Sequence, residues 1–116
     1  MPIYTAAVYL VSMKAVVYMG SSEKDLDAFP DKAYDMAQDE LIRLRQGANP
    51  THYRPMPEVA PGVCEIKINI GTAWRVMYVA NRREAVYVLH CFQKKTPQTS
   101  KKDKDLAKRR YKAIGR

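Results

Sequence analysis

Charged side chains recur at alternate positions along two neighbouring segments of the sequence. Glu65 and Lys67 alternate with aliphatic residues in one segment, Arg75 lies in the next, and Lys94 and Lys95 follow a third. Such alternation predicts strands whose charged side chains share the face away from the aliphatic row. Phosphodiester cleavage needs positive charge beside the phosphorane and a proton transfer at each end, and Arg and Lys supply the charge. The cluster indicates a phosphate site, with a rim of ordinary surface charges on a half-exposed sheet as the alternative.

A proline-rich segment, residues 47–62, carries a second basic group. His52, Tyr53 and Arg54 lie in its middle and are suited to a phosphate and a stacked base. Long loops in compact domains often have a function, although these prolines can equally stiffen a crossing from a helix to the sheet. The sequence leaves both interpretations open.

Histidine and cysteine offer less chemistry. His90 lies between apolar neighbours, so a core histidine is favoured over a general base, and Tyr78 and Phe92 are core candidates before they are base-stacking candidates. Cys64 and Cys91 form no CxxC motif, which predicts no disulfide framework and no metal site and fits a reduced cytosol. The usual nucleotide-binding, metalloprotease and serine-hydrolase motifs are also missing.

The positive charge is concentrated at the end of the chain. The net charge is +8, yet residues 1–93 hold ten basic and ten acidic side chains, whereas residues 94–116 hold ten basic side chains and two acidic ones. A concentrated cationic surface predicts a polyanionic partner, with nucleic acid favoured over an acidic protein, a lipid surface or a merely solvated helix face. The RNA-binding candidates are Tyr53, Arg54, Lys101, Lys102, Lys108 and Arg109.

Standard signals predict the elements that hold these residues. Residues 14–19 are predicted as a strand, Ser22 with Asp25 as a capping box of a short helix before Pro30, and residues 30–46 as a longer helix. That longer helix has one apolar stripe, formed by Ala33, Ala37, Leu41 and Leu44.

Residues 63–93 are predicted to form a three-stranded meander, with turns at Gly71 and at residues 81–84. Thr99 or Ser100 then caps a basic helix over residues 101–114. The order β, α, α, β, β, β, α predicts one α+β domain over residues 1–116, with helices against an antiparallel sheet. Residues 1–12 are apolar and lack the basic start and cleavage site of an export signal, so we expect an extra strand, a dimer contact or an extension rather than a membrane segment.

The sequence resembles a known family over about residues 13–114. The segments SSEKDLDAFP, YRPMPEV, PGVCEIKI and above all AWRVMYVA followed by VYVLHCFQKKTPQTSKKD resemble the HigB-like, phage-associated branch of the RelE/ParE toxin superfamily. The resemblance implies a RelE-like α+β fold with an antiparallel sheet of three to five strands, two N-terminal helices on one face and a basic C-terminal helix.

The resemblance also implies a function. Members of the family resemble toxins of type II toxin-antitoxin pairs that cut messenger RNA, usually on the ribosome, without a cofactor, and that a helix-turn-helix HigA-like antitoxin silences. By this likeness Arg75 matches the arginine at the scissile phosphate, Lys67 a lysine on the preceding strand, and Lys94 and Lys95 the basic residues after the last strand. Glu65 stands where some members carry a lysine. A ParE-like gyrase inhibitor or another non-enzymatic binding module is the alternative.

Overall fold

The computed structural model describes residues 13–115, so the proposed extra strand at residues 1–12 lies outside the described part of the chain. Its elements follow the predicted order, with one additional short strand. They are β1 (Ala15–Tyr18), α1 (Ser22–Asp27), α2 (Asp31–Arg45), β2 (Tyr53–Pro55), β3 (Val63–Ile70), β4 (Thr72–Val79), β5 (Ala85–Lys94) and α3 (Lys101–Lys112).

The strands form one five-stranded sheet in the order β1-β5-β4-β3-β2. Both predicted hairpins of the meander are confirmed, and Gly71 takes a positive φ of 68° at the first turn, where glycine has no Cβ to clash. The predicted α+β fold with at least three antiparallel strands is confirmed, and the sheet is mixed rather than purely antiparallel, because β1 runs parallel to β5. Two helices and three strands lie between β1 and β5 in the sequence, which gives the chain enough length to enter β5 in the same direction as β1.

The proline-rich segment is only partly a loop. Within it, β2 pairs antiparallel with β3 along the edge of the sheet. Pro55 is tolerated there because an edge position does not require its missing N–H. The prolines of this segment interrupt the alternating pattern that predicts a strand, so the sequence did not indicate β2.

The predicted helix starts differ from the structure by one residue. Ser21, not Ser22, precedes α1, and its Oγ donates to Asp25 Oδ2 at 2.7 Å. Ser22 is buried instead and donates to the Val88 carbonyl, because the helix packs against β5. Pro30 occupies the cap position of α2 rather than its first turn, whereas Ser100 caps α3 through the Asp103 N–H.

Two apolar layers enclose the sheet. The predicted stripe of α2 is buried on one face, together with Leu26 of α1 and the inward row of β3 and β4. Met77, Val79 and Leu89 on the other face pack under Ala107 of α3. Tyr78 and Phe92 are buried in these layers, which confirms them as core residues. No helix within residues 13–115 is long and apolar enough to cross a membrane.

Two adjacent positions on α2 provide a test of this packing. Leu41 is 1% exposed, whereas Ile42 is 42% exposed on the outer side of the helix. Leu41→Ala should lower the free energy of unfolding by about 2–5 kcal/mol, because it leaves a cavity in the core. Ile42→Ala, the matched control, should change it by less than about 1 kcal/mol. Urea unfolding followed by circular dichroism measures both, and equal losses would contradict the packing.

Candidate active site

The strand register brings the predicted charged residues onto one face. Lys67 pairs with Arg75 across β3 and β4, and Arg54 of β2 pairs with Glu65. Lys94 pairs with Ala73, two positions before Arg75, and so shares that face. The prediction that these side chains lie opposite the aliphatic row is therefore confirmed.

An open cleft of about 370 Å³ lies over this face. Four of its lining residues are cationic, and they come from β2, β3, β5 and α3. The lining consists of Arg54, Glu58, Lys67, Lys94, Pro97, Gln98 and Lys104. Such a concave cationic surface can hold a phosphate group between several donors.

Glu65 lies buried in the same cluster and is fully inaccessible. Its Oε1 is 3.4 Å from Arg54 Nε and 3.7 Å from Arg75 Nε, and its Oε2 accepts a hydrogen bond of 2.7 Å from the Thr99 hydroxyl. A buried carboxylate is tolerated only with such compensating partners. The alternative interpretation, a rim of ordinary surface charges, therefore does not hold for Glu65, because the segment around Thr99 covers it.

Arg75 is also nearly buried, at 5% exposed. Its Nη1 donates to Asn69 Oδ1 at 3.0 Å and to the Trp74 carbonyl at 2.9 Å. Its buried Nε finds no hydrogen-bond acceptor within the described part of the chain. Burial lowers the pKa of the guanidinium, and Glu65 opposes this shift. Arg75 therefore lies beside the cleft lining as a rigidly held cation.

Lys94 lines the cleft and has a perturbed pKa. Partial burial lowers its pKa, the charge of Arg75 lowers it further, and Glu65 raises it in part. A lysine ammonium whose pKa is lowered gives up its proton more readily. Lys95, the adjacent candidate, is exposed and does not line the cleft.

The basic group of the proline-rich segment is divided by the sheet. Arg54 lies on the face of Glu65, whereas Tyr53 pairs with Ile66 and so belongs to the face that α2 covers. His52 is exposed and lines a separate cavity beside α2. The predicted trio therefore does not form one binding site for a phosphate and a stacked base.

The cationic side chains of α3 differ in their exposure and in their contacts. Lys101, Lys102, Lys108 and Arg109, the predicted RNA contacts, are exposed. Lys104 instead forms a 3.3 Å ion pair with Glu58 at the cleft.

Sequence reasoning missed Lys104, Glu58 and Thr99 as members of the site. The sequence indicated Thr99 only as a possible helix cap, and nothing in it distinguished Lys104 from the other lysines. Their roles depend on contacts between distant segments, which a periodicity does not reveal.

His90 is a core residue, as the apolar context predicted. It is 6% exposed, stacks on Phe92 with ring centroids 4.5 Å apart, and its Nε2 lies 2.8 Å from Asp103 Oδ1. Burial lowers its pKa, although Asp103 opposes this. The neutral ring therefore donates from Nε2 to Asp103 and fastens β5 to α3.

Among the described residues, no group of three or more His, Cys, Asp or Glu side chains could hold a metal ion. Cys64 and Cys91 are free thiols, and burial raises the pKa of each. Neither thiol is set up as a nucleophile, since the thiolate is the reactive form.

The architecture, a mixed sheet with two helices on one face and a basic helix on the other, is compatible with a RelE-like fold. Residues 24–112 match the family described as "Phage derived protein Gp49-like (DUF891)". The match spans most of the chain, which therefore belongs to this phage-derived family, a part of the RelE/ParE-like toxin superfamily. Searches of curated proteins and of solved structures gave no match.

The buried histidine predicts a specific loss of stability in acid. Unfolded His90 takes up its proton near the ordinary pKa of 6.5, whereas the folded protein takes it up at lower pH. The unfolded state then binds more protons, so the free energy of unfolding falls as the pH drops below about 6.5. Urea titrations at pH 7.5 and 5.5 should show a smaller fall for His90→Gln than for the wild type.

His52→Gln, at the exposed histidine, is the matched control for this prediction and should keep the wild-type fall. A fall in His90→Gln as large as in the wild type would contradict the assignment.

Proposed function

We propose that this protein is the toxin of a type II toxin-antitoxin system and that it cleaves messenger RNA on the ribosome. The observation that carries the proposal is the cleft in which Arg54, Lys67, Lys94 and Lys104 surround one space, with Arg75 held beside it. Membership of a family in the RelE/ParE-like superfamily supports the toxin part. The likeness of the sequence to the HigB-like branch supports RNA as the substrate.

In the proposed reaction, the 2′-hydroxyl of one nucleotide attacks the adjacent phosphorus. The bond between O2′ and phosphorus forms, the bond between phosphorus and O5′ breaks, and the products carry a 2′,3′-cyclic phosphate and a 5′-hydroxyl. The attacking hydroxyl loses a proton, and O5′ gains one. No cofactor takes part in this scheme.

The cations at the cleft have different roles in this scheme. Lys67 and Arg54 hold the non-bridging oxygens, and Arg75 stabilises the charge of the phosphorane from its fixed position. Lys94 is the residue we assign to the proton transfer to O5′, since it lines the cleft and its lowered pKa favours release of the proton. The exposed lysines of α3 attract the RNA backbone and add affinity rather than rate.

We also propose a small helix-turn-helix antitoxin as the partner, with an acidic or amphipathic segment lying against residues 94–116. The concentrated charge supports this, because a competing polyanion blocks a basic surface most directly. Expression with the product of the neighbouring gene should give a complex that survives moderate salt. Loss of the complex at moderate salt, or growth arrest that this gene fails to relieve, would count against the partner.

Alanine variants test the catalytic assignment. Arg75→Ala and Lys94→Ala should each lower the cleavage rate by about 10²-fold or more, because each removes a positioned charge from the transition state. Lys95→Ala, which changes the exposed neighbour, should have a smaller effect. Lys108→Ala on α3 should weaken RNA binding only modestly, by an amount that decreases as the salt concentration rises.

Primer extension on messenger RNA and growth arrest measure these effects, and circular dichroism confirms folding. If folded Arg75→Ala and Lys94→Ala proteins cut at the wild-type rate, this cleft is not the active site. If the wild type arrests growth without cutting RNA, the non-enzymatic binding module replaces the ribonuclease.

A further inference from the structure

Glu65 and Thr99 form a buried pair that the cleavage scheme does not use. Glu65 is fully buried and Thr99 is 4% exposed, and their side chains join β3 to the segment between β5 and α3. A buried carboxylate and a buried hydroxyl carry a desolvation cost. A buried pair with such a cost beside the cleft therefore indicates a role for both residues.

The two oxygens of the Glu65 carboxylate have different partners. Thr99 donates to Oε2, while Oε1 faces the Nε atoms of Arg54 and Arg75. The hydroxyl therefore fixes the rotation of the carboxylate, and the carboxylate sets where both guanidiniums can lie. Asn69 and the Trp74 carbonyl hold the other end of Arg75 through Nη1.

We propose that Glu65 and Thr99 are positioning residues for the cleft: Thr99 orients the Glu65 carboxylate, which holds the Arg75 and Arg54 guanidiniums in place for the phosphorane. The kinetic part of this proposal rests on the proposed ribonuclease function. Both residues are buried, and neither lines the cleft.

This role predicts opposite effects on binding and on rate. Glu65→Gln removes one negative charge from beside Arg54, Arg75 and Lys94, so the cleft becomes more positive and should bind a phosphate backbone equally or more tightly. The guanidiniums lose their anchor at the same time, so kcat should fall. A variant that merely unfolds would weaken both.

The kinetic experiment compares Glu65→Gln, Thr99→Val and Thr99→Ser with the wild type. Binding is measured by fluorescence anisotropy with a 2′-O-methyl RNA oligonucleotide, which lacks the attacking hydroxyl. Glu65→Gln should lower kcat by about 10²-fold with an unchanged or smaller Kd, because a misplacement near 1 Å can cost that much.

Thr99→Val keeps every charge and should lower kcat by about tenfold at unchanged Kd, and Thr99→Ser should restore the rate because it restores the hydroxyl. Thr72→Val is the matched control, since Thr72 is exposed at the β3–β4 turn and bonds only Gln93 among the described residues. It should behave as the wild type.

A spectroscopic arm tests the positioning without any activity. In ¹⁵N-labelled protein, the Arg75 Nε–H should give a resolved, slowly exchanging resonance, assigned by its loss in Arg75→Lys. This resonance should broaden or exchange rapidly in Glu65→Gln and Thr99→Val and persist in Thr99→Ser.

The outcomes separate this proposal from the proposed function. A wild type that binds RNA without cutting it contradicts the ribonuclease, and the Arg75 resonance then decides the positioning role alone. An unchanged resonance in Thr99→Val overturns the proposal. Equal losses of kcat in Thr99→Val and Thr99→Ser, or a Kd that rises in Glu65→Gln, would also overturn it.

Discussion

Glu65 is a carboxylate buried among cations, and the charge balance of this face of the sheet depends on that contact. Arg54, Arg75 and Lys94 lie close enough to repel one another, and a central negative charge reduces the repulsion. Breaking a buried ion pair by removing one partner lowers the free energy of unfolding by about 3–5 kcal/mol, so substitution of either partner should destabilise the fold. The cluster can therefore stay folded while the cleft above it remains cationic and able to accept a phosphate.

The same face is divided between this polar cluster and an apolar half. Ala107 of α3 packs over Met77 and Leu89, and the pair of His90 with Asp103 fastens the helix along β5. These contacts bury one side of α3 and leave Lys101, Lys102, Lys108 and Arg109 exposed. The helix thus supports the cleft wall through Lys104 and also presents a cationic surface to the solvent.

The short-range patterns of the sequence were sufficient for part of this arrangement. The turn at Gly71 sets the β3–β4 register, so alternation alone placed Lys67 and Arg75 on one face. The burial of Glu65 could not be predicted, because its cover and its hydroxyl partner come from the segment around Thr99, 34 residues away. The parallel direction of β1 was missed for the same reason, since a long-range contact with β5 defines it, whereas β2 was missed because prolines interrupt its segment. The superfamily and the proposed function were inferred from the likeness of whole segments rather than from any single pattern.

Whether this cleft cleaves RNA through the 2′-hydroxyl is tested by a synthetic RNA that bears the cleavage site mapped in messenger RNA and is presented in a translating ribosome. The same RNA with one 2′-O-methyl group at the nucleotide before the scissile phosphate is the control. The wild type should cut the first RNA to give a 5′-hydroxyl end and should leave the methylated RNA intact. Cleavage of the methylated RNA at the same bond, or a 5′-phosphate on the product, would contradict this mechanism.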